Sequence, residues 1–245
     1  MNRDRLDGIL NYLEALRRPL LVLGVATIVL TASGFGFAPA ILTRLQRQTG
    51  VPLAAFGIPD IFLAYVYVAA GIALLALAPA VAYILLSRLD RIGKGLSATS
   101  LWSFGAAAVF LFFAGAGFCF FLTLPYGAQF LLSYAGSGLQ PLISVTTFVG
   151  FCLVLIFGFG LTFNLPLVMI LFGRMGLIRR ETLSRHRSHA IMAITVLAAV
   201  LTPTPDVLNL LLLALPLYTL FELGLVGMRF SKRSRGSIDP FSGIG

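Results

Sequence analysis

Charged residues are scarce in this chain of 245 residues. They make up 11% of the sequence, whereas hydrophobic residues make up 58%. No soluble domain of this length needs so apolar a composition, so a soluble globular protein is excluded and several membrane spans are indicated. No formal charge occurs between Lys94 and Arg174, an interval too long for a single span.

Cysteine and histidine are rare, at two residues each. Cys119 and Cys152 lie inside apolar runs without metal-ligand spacing, so we expect buried thiols rather than a disulfide. His186 and His189 stand three residues apart in a basic stretch that supplies no thiol or carboxylate cluster, which favours a surface role beside lipid phosphates over a metal site. The chain also lacks a phosphate-binding loop and a plausible Ser-His-Asp order. We therefore predict that it is not an enzyme and needs no cofactor.

Acidic residues are half as numerous as basic ones, which leaves a net charge of +9. The basic residues bracket apolar runs, so we expect a membrane protein without a nucleic-acid partner. Only Arg44 and Arg47, of the 18 basic residues, fall outside the N-terminus, the second and fourth loops and the tail. The positive-inside rule then predicts that both termini are cytoplasmic.

Hydrophobic runs predict an all-α membrane protein with six transmembrane helices. We expect one domain over residues 1–228, an amphipathic surface helix that turns into the membrane at Pro19, and a basic, disordered tail over residues 229–245. Pro59 and Asp60 are typical of a helix start. The predicted spans are about 20–42, 61–87, 101–124, 148–172, 189–202 and 207–226.

The last two predicted spans are short and meet at the sequence TPTPD, Thr202 to Asp206. A helix of about 13 residues rises only ~20 Å, whereas the hydrocarbon core is ~30 Å thick. Short fifth and sixth helices therefore imply a thinned bilayer or longer neighbours around them. Pro203 and Pro205 predict the turn, and Asp206 then occupies an N-cap position.

Two segments resemble the TatC family, the large membrane subunit of the twin-arginine protein translocase. They are GLIRRETLSRHRSHAI, residues 176–191, and LTPTPDVLNLLLLALPLYTLFELG, residues 201–224. The resemblance implies six spans with short fifth and sixth helices, and both termini in the cytoplasm. It also implies a multi-pass protein of the bacterial cytoplasmic (inner) membrane.

The resemblance implies a function in protein transport. Family members bind twin-arginine signal peptides of folded precursors, assemble with small single-span subunits of the TatA and TatB type, and use the proton-motive force. Other TatC copies and membrane lipids are further expected partners. Two guanidinium groups are best held by carboxylates with bidentate geometry, so acids are expected on the cytoplasmic side.

The chain departs from the family at its acidic positions. The family sequence His-Leu-x-Glu-Leu-Arg keeps its arginine as Arg17, but Ala15 replaces the glutamate and Glu14 stands one residue early. In the first cytoplasmic loop, Gly93 replaces a glutamate and Asp90 is the nearest acid. We therefore predict a signal-peptide site formed by Glu14, Arg17 and Asp90.

A third departure is Asn164, which replaces the glutamate of Phe-Glu-x-Pro. Asn164 either contacts a partner helix or bonds backbone amides disturbed by a nearby proline. Glu222 either pairs with Arg229 or caps local backbone, and Asp206 is either an N-cap or a functional acid. The residues predicted to serve partner contact or translocation are Asn164, Thr202, Pro203, Asp206 and Glu222.

Two alternative functions remain open on the sequence alone. The loss of three acids is also typical of a divergent TatC paralogue that acts as an accessory or assembly subunit without signal-peptide recognition. A small-solute secondary transporter would account for the broken helix pair, but no pair of ionisable residues lies at mid-membrane.

Overall fold

The computed structural model describes residues 3–92, 98–133, 142–174, 178, 180–201 and 207–230, and almost all of them are helical. The chain forms two compact units, Met1–Thr162 and Phe163–Gly245, which we describe separately. The predicted all-α class needs a small addition, because the first unit also contains two strands of two residues each. That residues 1–228 form one domain remains a prediction.

The first unit contains the longer helices. In chain order its elements are α1 (Arg3–Gly34), a 3-10 turn (Phe35–Phe37), α2 (Ala38–Thr49), β1 (Leu53–Ala54), α3 (Ile58–Ile92), α4 (Ala98–Phe118), a π-helical segment (Cys119–Thr123), α5 (Leu124–Ser133), β2 (Ile143–Ser144) and α6 (Val145–Phe163).

The second unit contains shorter helices and one long one. Its elements are α7 (Leu165–Arg174), α8 (Arg180–Arg185), α9 (Arg187–Leu201) and α10 (Val207–Phe230). The predicted hinge lies between α9 and α10, where residues 202–206 are outside the described part of the chain. Helices α9 and α10 are separate, as the two prolines predicted.

The N-terminal region is helical throughout its described residues. Helix α1 continues through Pro19, where the first stretch that is apolar enough to cross a membrane begins. The turn into the membrane at Pro19 stays a prediction. The polar stretch after the first span is also helical, as α2. That helix ends at Gly50, whose φ of 68° is left-handed and whose amide N lies 2.9 Å from the Gln46 carbonyl oxygen. Glycine adopts this conformation without the steric cost that a Cβ imposes.

Small residues bring α3 close to its neighbours in the first unit. Three alanines of α3 are buried: Ala64, Ala69 and Ala73. A Cβ built at Gly71 would lie 2.4 Å from a Leu153 methyl carbon, so α6 fits against α3 only where a side chain is missing. Close approach between small residues is typical of helices packed within a membrane.

Glycines have the same role in the second unit, where α7 and α10 pack together. A Cβ at Gly224 would lie 2.6 Å from the Met169 sulfur, and one at Gly227 would lie 2.4 Å from a methyl carbon of Ile170. Leu213, Leu217 and other leucines complete the buried side of α10.

Large apolar side chains are widely exposed, which is the pattern of a surface that faces lipid. Val22 is 68% exposed and Ile28 is 71% exposed. Within the described residues, five helical stretches are long and apolar enough to cross a membrane: Pro19–Thr49, Ile58–Ile84, Trp102–Gln129, Val145–Arg174 and Leu213–Phe230. The protein is therefore a multi-pass membrane protein.

The short fifth helix has its expected size, but the short sixth helix does not. Helix α9 has 15 residues and rises about 22 Å at ~1.5 Å per residue. Helix α10 has 24 residues and rises about 36 Å on the same basis. The prediction of a short sixth helix is wrong, because α10 continues to Phe230, beyond the predicted end at residue 226. Glu222 has partners on neighbouring side chains, and Gly224 packs against α7.

Candidate functional site

The first polar cluster surrounds Asp60 at the start of α3. The Ser144 hydroxyl donates to its carboxylate at 3.2 Å, and the Thr146 hydroxyl bonds both its carboxylate and, at 2.7 Å, its carbonyl oxygen. The backbone amide of Phe56 donates to the same carboxylate at 3.2 Å. One half-buried side chain thus joins the segment before α3 to the start of α6.

A short parallel β-ladder lies beside this cluster. Leu53 pairs with Ile143, and Ala54 pairs with Ser144. The prediction that Pro59 and Asp60 open a helix is confirmed, because α3 begins at Ile58. Sequence reasoning missed the partners of Asp60. Their only signal was a pair of hydroxyl residues, Ser144 and Thr146, directly before a long apolar run.

The second polar cluster joins α9 to α10. Arg187 Nη2 lies 3.2 Å from Glu222 Oε2, and the Tyr218 hydroxyl donates to Glu222 Oε1 at 2.9 Å. Tyr218 and Glu222 stand one helical turn apart, so the tyrosine fixes the carboxylate for the arginine. Both oxygens of Glu222 are therefore engaged, by partners on two helices.

This geometry corrects the expectation for Glu222. The sequence suggested Arg229 or local backbone as its partner, whereas the structure gives it Arg187 and Tyr218. A lone ionised side chain at the centre of a bilayer costs roughly 2.5–3.5 kcal/mol on insertion scales. An arginine and a hydroxyl group reduce this cost for a carboxylate on an otherwise apolar helix.

The two histidines lie together at the junction of α8 and α9. Their ring centroids are 5.4 Å apart, as the spacing of three residues predicted. The His186 Nδ1 atom lies 2.8 Å from the Thr182 carbonyl oxygen, and both side chains are exposed. Among the described residues there is no group of three or more His, Cys, Asp or Glu side chains that could hold a metal ion.

Asn164 occupies the single non-helical position between α6 and α7. Its backbone carbonyl oxygen accepts a hydrogen bond of 3.1 Å from the Val168 amide, which is the first helical hydrogen bond of α7. Pro166 follows within the first turn, where its missing N–H is tolerated. Asn164 is half-buried there, and the proposed contact with a partner helix stays a prediction.

The structure describes the other predicted site residues to different extents. Arg17 is exposed on α1. The side chains of Glu14 and Asp90 lie outside the described residues, although the backbone at both positions is helical, in α1 and α3. Thr202, Pro203 and Asp206 lie outside the described residues altogether. The predicted signal-peptide site is therefore described only at Arg17.

Comparison with known families decides the assignment. The family model described as Sec-independent protein translocase protein (TatC) matches residues 11–216, which is most of the chain. This chain belongs to the TatC family. It is thus a membrane component of a protein translocase, and the solute-transporter hypothesis loses its basis.

Individual TatC proteins are similar over different lengths. The Sec-independent protein translocase protein TatC of Carboxydothermus hydrogenoformans is 27% identical over 232 residues, which cover 94% of this chain and 96% of that protein. The TatC protein of Desulforapulum autotrophicum is 35% identical over 130 residues, covering 53% of this chain and 48% of that protein.

A solved structure shares the fold. The crystal structure of the twin-arginine translocase receptor TatC in DDM superposes with a TM-score of 0.75 at 24% identity, covering 87% of this chain and 97% of that one. At this identity the likeness establishes the fold alone. Because the family match ends at residue 216, the ion-paired Glu222 lies beyond it.

Proposed function

We propose that this TatC protein receives twin-arginine signal peptides at the cytoplasmic face of the bacterial cytoplasmic membrane. It assembles there with single-span subunits of the TatA and TatB type, and the proton-motive force drives export of folded precursors. The family match over residues 11–216 carries this proposal, because it includes both the N-terminal helix and the hinge. Helix α9 serves as the short fifth of six spans, with both termini cytoplasmic.

The packing of α1 and α3 supports a shared peptide site at one end of the first unit. The two helices lie against each other, and the Phe35 and Phe62 ring centroids are 5.8 Å apart where α1 ends and α3 begins. The helices are therefore antiparallel there, so the start of α1 and the end of α3 point to the same side of the membrane. Glu14, Arg17 and Asp90 belong to these two ends.

The charge of these residues suits a guanidinium ligand. Glu14 and Asp90 supply the two carboxylates that an arginine pair needs for bidentate hydrogen bonds. Arg17 is exposed, and it orients a carboxylate rather than binding the peptide's own cations. Glu14 is offset by one residue from the family glutamate, which rotates its side chain by about 100° around α1. The site is thus a re-specified form of the family site.

The second set of residues serves partner contact and translocation in this proposal. Asn164 lies between α6 and α7, and in the sequence Thr202, Pro203 and Asp206 lie between the ends of α9 and α10. Glu222 lies on α10 and holds the base of α9 through Arg187. A single-span subunit would pack along the short helix and its hinge.

Co-purification tests the proposed function. Tagged protein in detergent is incubated with a precursor whose signal peptide carries Arg-Arg, and with a matched precursor carrying Lys-Lys. We expect the first to be captured and the second to be lost, because lysine cannot make the bidentate contacts of a guanidinium. Equal capture of the two precursors contradicts signal-peptide recognition by this chain.

A specific observation favours a second candidate function. Ala15, Gly93 and Asn164 stand where the family has acids, so a divergent paralogue with an accessory or assembly role would keep the scaffold and lack the peptide site. Such a protein would associate with an ordinary TatC yet fail to restore export in a strain without one. Complementation with a twin-arginine reporter separates the two functions.

A further inference from the structure

The outer face of α8 and α9 changes from basic to apolar along its length. The amide of His186 lies 3.2 Å from the Thr182 carbonyl oxygen, and the amide of Ala190 lies 3.1 Å from the His186 carbonyl oxygen. Helical spacing therefore continues through the junction, and residues three or four apart share a side. The exposed residues along this side are Arg185, His189, Met192 and Val196.

The basic end of this face carries three exposed donors. Arg187 is committed to Glu222 on α10, whereas Arg185, His186 and His189 are exposed. The two imidazole rings are 5.4 Å apart. Because His186 Nδ1 bonds the Thr182 carbonyl, its Nε2 is the ring nitrogen that can take an outside ligand. One guanidinium and two imidazolium groups, the charged form in which both ring nitrogens are donors, fit an anion with several acceptor oxygens.

The apolar end begins two turns further along. Met192 is 62% exposed and Val196 is 58% exposed. Seven residues of helix separate Arg185 from Met192, a rise of about 10 Å. A phospholipid has the same order of chemistry along its length, with a phosphate first and an acyl chain beneath it.

We propose that this stripe binds one anionic phospholipid. Arg185, His186 and His189 bind its phosphate, and Met192 and Val196 contact an acyl chain. The ligand is anionic because a zwitterionic headgroup brings an ammonium group among the same cations. A peptide rich in arginine is excluded from this stripe for the same reason. The proposal does not depend on signal-peptide binding.

Lipid retention tests the proposal on the full-length protein. Purified protein is loaded with phosphatidylglycerol or phosphatidylcholine in detergent, and bound lipid is counted by native mass spectrometry. We expect phosphatidylglycerol to be retained, and retention to fall about thirtyfold in the double variant Arg185→Gln, His189→Gln, since each of the two cationic groups near an anionic lipid contributes on the order of 1 kcal/mol. The double variant Arg185→Lys, His189→Lys should retain the lipid.

The matched control removes two exposed arginines elsewhere. Arg44 and Arg47 stand three residues apart on α2, so Arg44→Gln, Arg47→Gln makes the same change of charge away from the stripe and should leave retention unaltered. An excess of inorganic phosphate should not displace the lipid, whereas displacement would point to a free phosphate site and overturn the proposal. Equal retention of phosphatidylcholine, an equal loss in the control variant, or displacement by a single-span helix would also overturn it.

Discussion

Arg187 Nη2 lies 3.2 Å from Glu222 Oε2, so the first residue of α9 is tied to α10 eight residues before that helix ends. This pair is a salt bridge between α9 and α10. The salt bridge fixes the start of α9 against α10. Its two side chains are 49% and 30% exposed, so solvent screens the attraction.

The first prediction concerns this pair. Arg187→Gln and Glu222→Gln should each lower stability slightly, and the coupling in a double-mutant cycle should be about 0.2–1 kcal/mol, as for other exposed pairs. Thermal unfolding in detergent at low and high salt measures it, and the coupling should shrink as salt rises. Glu181→Gln, on exposed α8, is the control. A coupling of zero at low salt contradicts the prediction.

The second prediction concerns Asp60. Asp60→Asn keeps the size of the side chain but weakens its acceptance of the Ser144 and Thr146 hydroxyls and the Phe56 amide. We expect Tm to fall by a few degrees, since charge-assisted hydrogen bonds are stronger than neutral ones. Thr146→Val should lower Tm in the same direction. Thr147→Val, at the exposed neighbouring position, should not change it; an equal fall there contradicts a specific role of the cluster.

The third prediction concerns the packing of α7 on α10. Gly224→Ala puts a Cβ 2.6 Å from the Met169 sulfur and 3.1 Å from the Pro166 Cα, which is backbone and cannot rotate away. Overpacking of this kind costs about 1–3 kcal/mol. Gly117→Ala is the matched control, because a Cβ there meets nothing within 4 Å. Thermal unfolding of the two variants should differ, with Gly117→Ala unchanged or slightly stabilised as alanine favours helix.

The fourth prediction concerns the end of α2. Gly50 has a φ of 68°, a conformation that costs an ordinary L-residue about 1–2 kcal/mol. Gly50→Ala should destabilise the protein by roughly that amount, and Gly50→Asn by less, since asparagine tolerates the left-handed region better. Gly36→Ala, where space is open, serves for comparison. Identical stability of Gly50→Ala and wild-type protein is incompatible with a left-handed cap.

The fifth prediction separates the two candidate functions. Restoring acids with Ala15→Glu and Gly93→Glu should create capture of an Arg-Arg signal peptide if the chain is a paralogue that lacks its own site. If Glu14 and Asp90 already form the site, the wild-type protein captures the peptide and the double variant changes affinity rather than creating it. Surface-immobilised peptide and detergent-solubilised protein supply the measurement. The Lys-Lys peptide is the control in both arms.

The sequence by itself determined that this is a helical membrane protein of the TatC family. So apolar a composition is compatible only with helices surrounded by lipid, and the closely spaced Pro203 and Pro205 indicate a break between two helices. The separation of α9 from α10 and the start of α3 at Pro59 and Asp60 were therefore predictable. Both features depend only on residues that are close together in the sequence.

Only the tertiary structure decided which distant residues meet. Nothing local distinguishes Arg187 from Arg229 as the partner of Glu222, or selects Ser144 and Thr146 for Asp60, because these contacts depend on how helices far apart in sequence pack. The true length of α10 was hidden for the same reason. Gly224 lies inside α10, where its missing Cβ gives α7 room to pack.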